Sequence, residues 1–359
     1  MKELLFEYDM HLDFEPPVEE HRFTLKCIPL SDERQLIKKL DVEVYPKEFL
    51  SADEDSFGNY SIYGYTKGKH DRFFARVRGC AQTGLAPSLP AKEAHRIGLF
   101  KYQTDYTRPG PAIRAFAERF ADAIEKYEKM QQDRPGMSVI DAETALEACR
   151  GRSTEGEPSV VGITGGKDSG ASDAGVKADS LAGNTGETRE RFWKADTEAD
   201  AAGEGAARDA SPGSEIRKPE NPELTLAVTM MHGLYENFSY VPGVTDVRTT
   251  AEEAMALGRG VCQDYAHILL SLCRMQKIPC RYVVGMLIGE GKSHAWVEVC
   301  SGGHWYALDP TNNLIVDDQH IKISAGRDYH DCIVSQGVFV GRTTQTQTVA
   351  VRVKEATVL

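Results

Sequence analysis

Three residues of the kinds that together carry acyl transfer follow one another along the second half of the chain. They are Cys262 in GRGVCQDYAH, His294 in SHAWVEV and Asp309 in ALDP. A thiol that gives its proton to an imidazole can attack an amide carbonyl, and a carboxylate on the far ring nitrogen orients the base and stabilises its charge. A cysteine alone argues little, since free cysteine is among the most buried residue types. Its place argues more. Gly258 and Gly260 permit a tight approach to a helix, and Ala266, Leu269, Leu270 and Cys273 then recur at helical spacing from Cys262. Cys262 therefore heads the buried stripe of a predicted helix of about four turns. Unpaired N–H groups at such a helix start favour a thiolate and can donate to an oxyanion. Position alone leaves a packing thiol and a nucleophile equally open.

The hairpin that carries the other two residues tips the balance toward the nucleophile. Residues of even number from His294 to Cys300 share one strand face. A turn at 301–302 pairs Cys300 with Gly303 and sets His294 directly opposite Asp309, with Cβ atoms ~4.5–5.5 Å apart. A turn at Gly302 and Gly303 shifts the pairs but keeps both residues on one face. A three-residue loop without a bulge would separate them. His267 lies five residues along the helix from Cys262, points to another side and reads as structural. His304, beyond the turn, reads as an exposed loop residue.

The elements that must position these groups divide the chain unevenly. Residues 1–105 alternate apolar and polar residues in five or more short strands, the pattern of an antiparallel β-sandwich. Residues 106–132 contain a helix over 111–130, with proline at its start and Ile113, Phe116, Phe120 and Ile124 at spacings of three and four. From 151 to 220 there are twelve glycines and only two aromatics, Phe192 and Trp193. Such a composition buries too little apolar surface to offset its ordering entropy, so 133–222 reads as a disordered insertion. Within it SVVGITGGKDSGAS (159–172) is similar to the SGGxDS phosphate loop of ATP pyrophosphatases. It lacks the following amphipathic helix that such a loop needs, and is set aside. From 223 to 359 helices precede antiparallel strands, giving an α+β class.

Composition excludes several functions. A net charge of −12 does not suit a phosphate backbone, so no nucleic-acid partner is expected. No apolar run approaches the ~20 residues of a membrane span. The acidic N-terminus is unlike a signal peptide and leads us to expect a cytoplasmic protein. Eight cysteines include no CxxC pair, and no EF-hand loop is present, so neither a metal nor another cofactor is expected.

The ordered motifs GVCQD, HAWVEV and DPTN resemble those of the bacterial transglutaminase-like cysteine enzymes, within the transglutaminase and protease superfamily. FSYVPG before them, GRDYHD (326–331) and QGVFVG after them, and DSFGN (55–59) in the β-rich leader are similar to that family too. The resemblance covers about 1–130 and 223–359. It implies a papain-like α+β core behind an antiparallel β-rich domain, with Cys262 as nucleophile, His294 as base and Asp309 as orienting acid. Tyr240 and Gln263 are candidates for an oxyanion donor or a substrate wall, and Tyr240 equally for a core residue. The family's activities share a thioester and differ in what resolves it. Hydrolysis of a peptide or protein amide is the expected reaction. Transamidation with an amine is the alternative, and a non-catalytic scaffold the second alternative.

Overall fold

Leu4, Phe6, Tyr8, Met10, Leu12 and Phe14 are all buried, and their alternation runs into one long strand, β1 (Lys2–Leu25), rather than a short one. In the computed structural model, which describes residues 1–92, 94–132 and 221–356, this strand serves two sets of neighbours. Its first half pairs with β5 (His70–Thr83) on one side and β16 (Thr344–Glu355) on the other. β2 (Gln35–Tyr45) lies outside β5, and β10 (Gly289–Gly291) outside β16. Its last residues pair with β4 (Tyr60–Thr66) and β15 (Ser335–Val340), and β3 (Phe49–Glu54) adds to β4. Every pairing is antiparallel. Side chains from both halves of β1, including Phe6, Met10, Phe23 and Leu25, enclose a single apolar core.

The sheets redraw one boundary. The sequence reading gave 223–359 entirely to the core, yet β10, β15 and β16 complete the N-terminal sheet. Val351 and Val353 enter its core beside β1, so the C-terminal strand protects an edge that would otherwise be open to pairing with another chain.

The second sheet runs β13 (Leu314–Ile315), β12 (His304–Asp309), β11 (His294–Ser301), β9 (Cys280–Leu287) and β14 (His320–Gly326), with β6 (Leu89–Pro90) also on β12. Helices form the layer over it. After the short α1 (Ala94–Ile97) come α2 (Pro111–Ala117) and α3 (Ala121–Gln132), with a 3₁₀ turn at Glu118–Phe120 interrupting the helix expected over 111–130. Residues 133–220, which hold most of the expected insertion and its phosphate-loop-like stretch, lie outside the described residues. α4 (Pro222–Asn237) and α5 (Ala251–Leu257) follow. Thr250 and Glu253 bond reciprocally as a capping box at the start of α5.

The helix that Cys262 begins, α6 (Cys262–Met275), is buried all round from Asp264 to Arg274 rather than along one stripe. The sheet covers one side with Ala295, Val297 and Val299, and Ile113, Met230 and Ala254 of α2, α4 and α5 belong to the same cluster. Its one buried cation, Arg274, pairs with no carboxylate among the described residues. It donates instead to the carbonyls of Phe100, Cys280 and Arg327 and to Thr107 Oγ1, tying the 100–107 segment to the helix. No helix among the described residues is long and apolar enough to cross a membrane.

Two carboxamides join the sheets. Strand β14 ends the core sheet, and its outer backbone groups would lack partners. The Gln35 side chain donates to Lys322 O at 2.8 Å and accepts from Lys322 N at 2.8 Å. Asn59 does the same to Ala325, at 2.8 and 2.7 Å. Each amide thus takes the place of a neighbouring strand. Asn59 is held in turn by the DSFGN turn, where Asp55 accepts from the N–H groups of Phe57 and Asn59 and pairs with Lys26. Asn59→Ala would strand a buried donor and acceptor, and we expect it to cost about 2–4 kcal/mol in urea unfolding. A change below about 0.5 kcal/mol would show that water replaces the clip.

Candidate active site

Cys262 is the first residue of α6 and is partly exposed. Its approach is built by backbone. Gly258 ends α5 in the left-handed conformation, at φ 66°, and β8 (Arg259–Gly260) then runs parallel to β7 (Ser239–Tyr240). Gly260 cannot carry a side chain, because a Cβ there would lie 2.3 Å from Asp264 Oδ2. That carboxylate accepts from Val261 N and Thr245 Oγ1, both at 2.7 Å, and so closes the helix start beneath the cysteine. Burial pushes the Asp264 carboxyl up, against those hydrogen bonds.

The hairpin turn falls at Gly302 and Gly303. Ser301 pairs with His304 and Val297 with Leu308. Both glycines have positive φ, 57° and 78°, as the favoured two-residue turn requires. Direct opposition of His294 and Asp309 is therefore corrected to a diagonal relation, two residues out of register on a shared face. The side chains still meet, with His294 Nε2 2.7 Å from Asp309 Oδ2. That contact leaves Nδ1 for the neighbouring Cys262 thiol, whose presence beside the ring favours the imidazolium. His294 begins its strand and Cys262 its helix, so the two meet at one end of the paired layers.

The electrostatics follow from burial and partners. Burial alone would lower the His294 pKa. The hydrogen bonds of Asp309 and Cys262, with their charges, overcome it and raise the ring from 6.5 to about 10. Asp309 is fully buried. Burial opposes its ionisation, yet His294 and His320 hold its carboxyl well below the usual carboxylate range. Its Oδ1 accepts from the N–H groups of Thr311 and Asn312, and its Oδ2 from Asn312 Nδ2 at 2.7 Å and His320 Nε2 at 3.2 Å as well as from His294. The DPTN sequence thus folds its own backbone around the carboxylate, as Asx turns do.

Tyr240 is 53% exposed. Burial of its remainder, and then the neighbouring Cys262, raise its hydroxyl pKa, so it stands at the rim beside the thiol and is not core. The Gln263 side chain donates to Val247 O at 3.3 Å and is thereby tied to the loop after β7. His267 is fully buried between Tyr106 and Tyr282, and its Nε2 accepts from Tyr329 N at 3.2 Å. Burial drives its pKa to about 3, and the neutral ring takes no part at Cys262. His304 is exposed and contacts Ser88.

His320, Asn312 and Asp317 were missed by sequence reasoning. His320 lies on β14, beyond β9 from His294, and only folding brings it to Asp309. The side-chain ligand atoms of His294, Asp309 and His320 lie within 4.8 Å of one another. Both ring nitrogens that face Asp309 lie within hydrogen-bond reach of its Oδ2, so the three groups form a bonded chain.

Residues 212–310 match the model of the transglutaminase-like superfamily, and residues 5–82 match that of the bacterial transglutaminase-like N-terminal region. The protein therefore carries a transglutaminase-like core behind a bacterial transglutaminase-like N-terminal region. An uncharacterized protein of Mycobacterium leprae (strain TN) is 37% identical over 145 residues, 38% of this chain and 51% of that one. An uncharacterized protein of Mycobacterium tuberculosis (strain ATCC 25618 / H37Rv) is 30% identical over 136 residues, 33% of this chain and 43% of its own. The chain spans about half the length of the curated relatives it matches. The crystal structure of a presumed cysteine protease from Cytophaga hutchinsonii superposes with a TM-score of 0.57 at 16% identity, covering 99% of this chain and 91% of that one. That likeness shows the fold.

Proposed function

We propose that the protein is a cysteine-dependent acyl-transfer enzyme that hydrolyses peptide or protein amides through a thioester on Cys262. The observation that carries this reading is the bond between the His294 imidazole and the buried Asp309 carboxylate, with the partly exposed Cys262 thiol beside that ring at the start of α6. His294 takes the thiol proton, and the Cys262 sulfur bonds to the amide carbonyl carbon. The tetrahedral oxyanion would be met by N–H groups at the start of α6, the helix end where such donors are unpaired. As the C–N bond breaks, His294 returns the proton to the leaving amine. The ring then deprotonates water, whose oxygen bonds to the thioester carbonyl carbon; the C–S bond breaks, the acid leaves, and the Cys262 sulfur is restored beside the ring that holds the proton. Asp309 keeps Nδ1 directed at sulfur throughout. Tyr240 on the rim is proposed to form one substrate wall.

Hydrolysis is favoured over transamidation because water needs only the base already in place, whereas an amine needs a second binding surface. A scaffold role fits poorly, since all three groups are present and the imidazole is bonded to the carboxylate. The seven described cysteines are free, which suits the reducing cytoplasm that we propose as its setting.

Incubation with a glutamine peptide and a fluorescent primary amine separates the readings. We expect released acid to exceed amine conjugate at least about tenfold, a ΔΔG‡ of roughly 1.4 kcal/mol. Stable amine incorporation above hydrolysis would transfer the assignment to a transamidase, and neither product would leave the scaffold reading.

A further inference from the structure

The hydrogen-bonded line does not stop at Asp309. His320 is buried, with Nε2 3.2 Å from Asp309 Oδ2 and Nδ1 3.3 Å from Asp317 Oδ1. Asp317 is half exposed, with its side chain 45% accessible. A neutral imidazole has one N–H and one lone pair, so beside two carboxylates it would turn a lone pair on one of them. Only the doubly protonated ring donates to both. Its centroid lies 6.0 Å from that of His294, and Trp296 packs edge-on against it at 5.4 Å. Trp296 reaches this place because it crosses Gly285 of the intervening strand, where a Cβ would lie 2.2 Å from the indole. The other charged groups around the small cavity beside His320 are Asp32, Arg34, Glu298 and Lys322. Of these, Lys322 pairs with both Asp32 and Glu298.

We propose that His320 is a positioning residue which, held as a cation between Asp309 and Asp317, fixes the Asp309 carboxylate and limits how tightly that carboxylate holds the proton of His294. The inference rests on Asp309 being the orienting acid of the proposed reaction. Two imidazolium rings that share one carboxylate repel each other. Without the His320 charge, Asp309 would stabilise the His294 imidazolium more strongly, and His294 would release its proton less readily to the leaving amine. Through Asp317 the restraint reaches solvent, which makes the basicity of His294 responsive to a group on the surface.

Histidine-selective ¹⁵N NMR across pH, combined with the pH profile of kcat/KM for amide hydrolysis, tests this on the full chain. In the wild-type protein both His320 nitrogens should be protonated at pH 7. His320→Gln keeps a neutral donor toward Asp309. It should raise the pH at which His294 loses its proton by about one unit, a tenfold change in that equilibrium, and move the alkaline limb of the profile with it. Asp317→Asn should shift both readouts the same way by less, and as a rim substitution it decides the matter if His320→Gln does not fold. A singly protonated His320 at pH 7 overturns the proposal. So does a folded variant whose rates fall with no movement of either midpoint, the mark of a merely structural residue. Loss of hydrolysis in Cys262→Ala alongside unmoved midpoints sinks this inference and spares the reaction. Hydrolysis that survives Cys262→Ala overturns both.

Discussion

Cys262→Ala is expected to lower amide turnover by about 10⁴-fold or more while the protein still folds. The thiol is a first-turn side chain with partial exposure, so its removal opens no deep cavity, and the melting temperature should change little. His294→Ala should cost turnover on the same order, and the double variant little beyond either single one. A nucleophile without its base, and a base without its nucleophile, lose the same transition state. Alkylation separates their roles without substrate. At pH 6 iodoacetamide should modify Cys262 at least about tenfold faster in the wild-type protein than in His294→Ala, because in the proposed reaction His294 is the base that takes the thiol proton. The other six described cysteines are buried, so the modified peptide can be followed by mass spectrometry. Equal rates in the two proteins would remove His294 as the activating base. Turnover above about one hundredth of wild type in Cys262→Ala would remove Cys262 as the nucleophile.

The order of Cys262, His294 and Asp309 was legible because each sits where local rules are strong. A helix start, a strand start and a strand end beyond a glycine turn are all visible as short patterns. The shared face of His294 and Asp309 was legible for the same reason, since strand alternation survives a shift of two in register. The exact pairing was not. Ser301–Gly302 and Gly302–Gly303 are both plausible turns on paper, and the second prevails because both of its residues can adopt positive φ. His320 was illegible for a different reason. It reaches Asp309 only through the sheet order that sets β9 between β11 and β14, and through a glycine that lets Trp296 cross. No spacing along the chain encodes that distance. The same holds for Gln35 and Asn59, whose amides cap a strand some 260–290 residues later. It holds too for β16, whose alternation announced a strand but not the sheet that it joins.

Asp309→Asn should reduce both turnover and stability, and its effect on the pH profile of stability identifies the cause. Two backbone N–H groups point at Oδ1 and three side-chain donors at Oδ2. An asparagine amide must turn its NH₂ toward one of these sets, so either orientation sets donor against donor in a buried site. We expect turnover to fall by about 10⁴-fold as His294 loses its fixed tautomer, and unfolding free energy at pH 7 to fall by roughly 3–5 kcal/mol. The signs across pH are distinct. His294 is raised from 6.5 to about 10 in the fold, so its contribution is complete below 6.5 and is lost as pH rises through 10. Asp309 is lowered from 3.8, so its contribution is complete above that value and is lost as pH falls through the folded one. Urea unfolding of the wild-type protein should therefore show a decline between pH 6.5 and 10 that Asp309→Asn largely abolishes, because an uncharged neighbour no longer opposes the burial that pushes His294 down. The acid-side decline should weaken with it. Curves that stay parallel from pH 4 to 10, offset by a constant, would mean that Asp309 supports the fold by packing and hydrogen bonding alone, and that its charge does not hold the His294 proton.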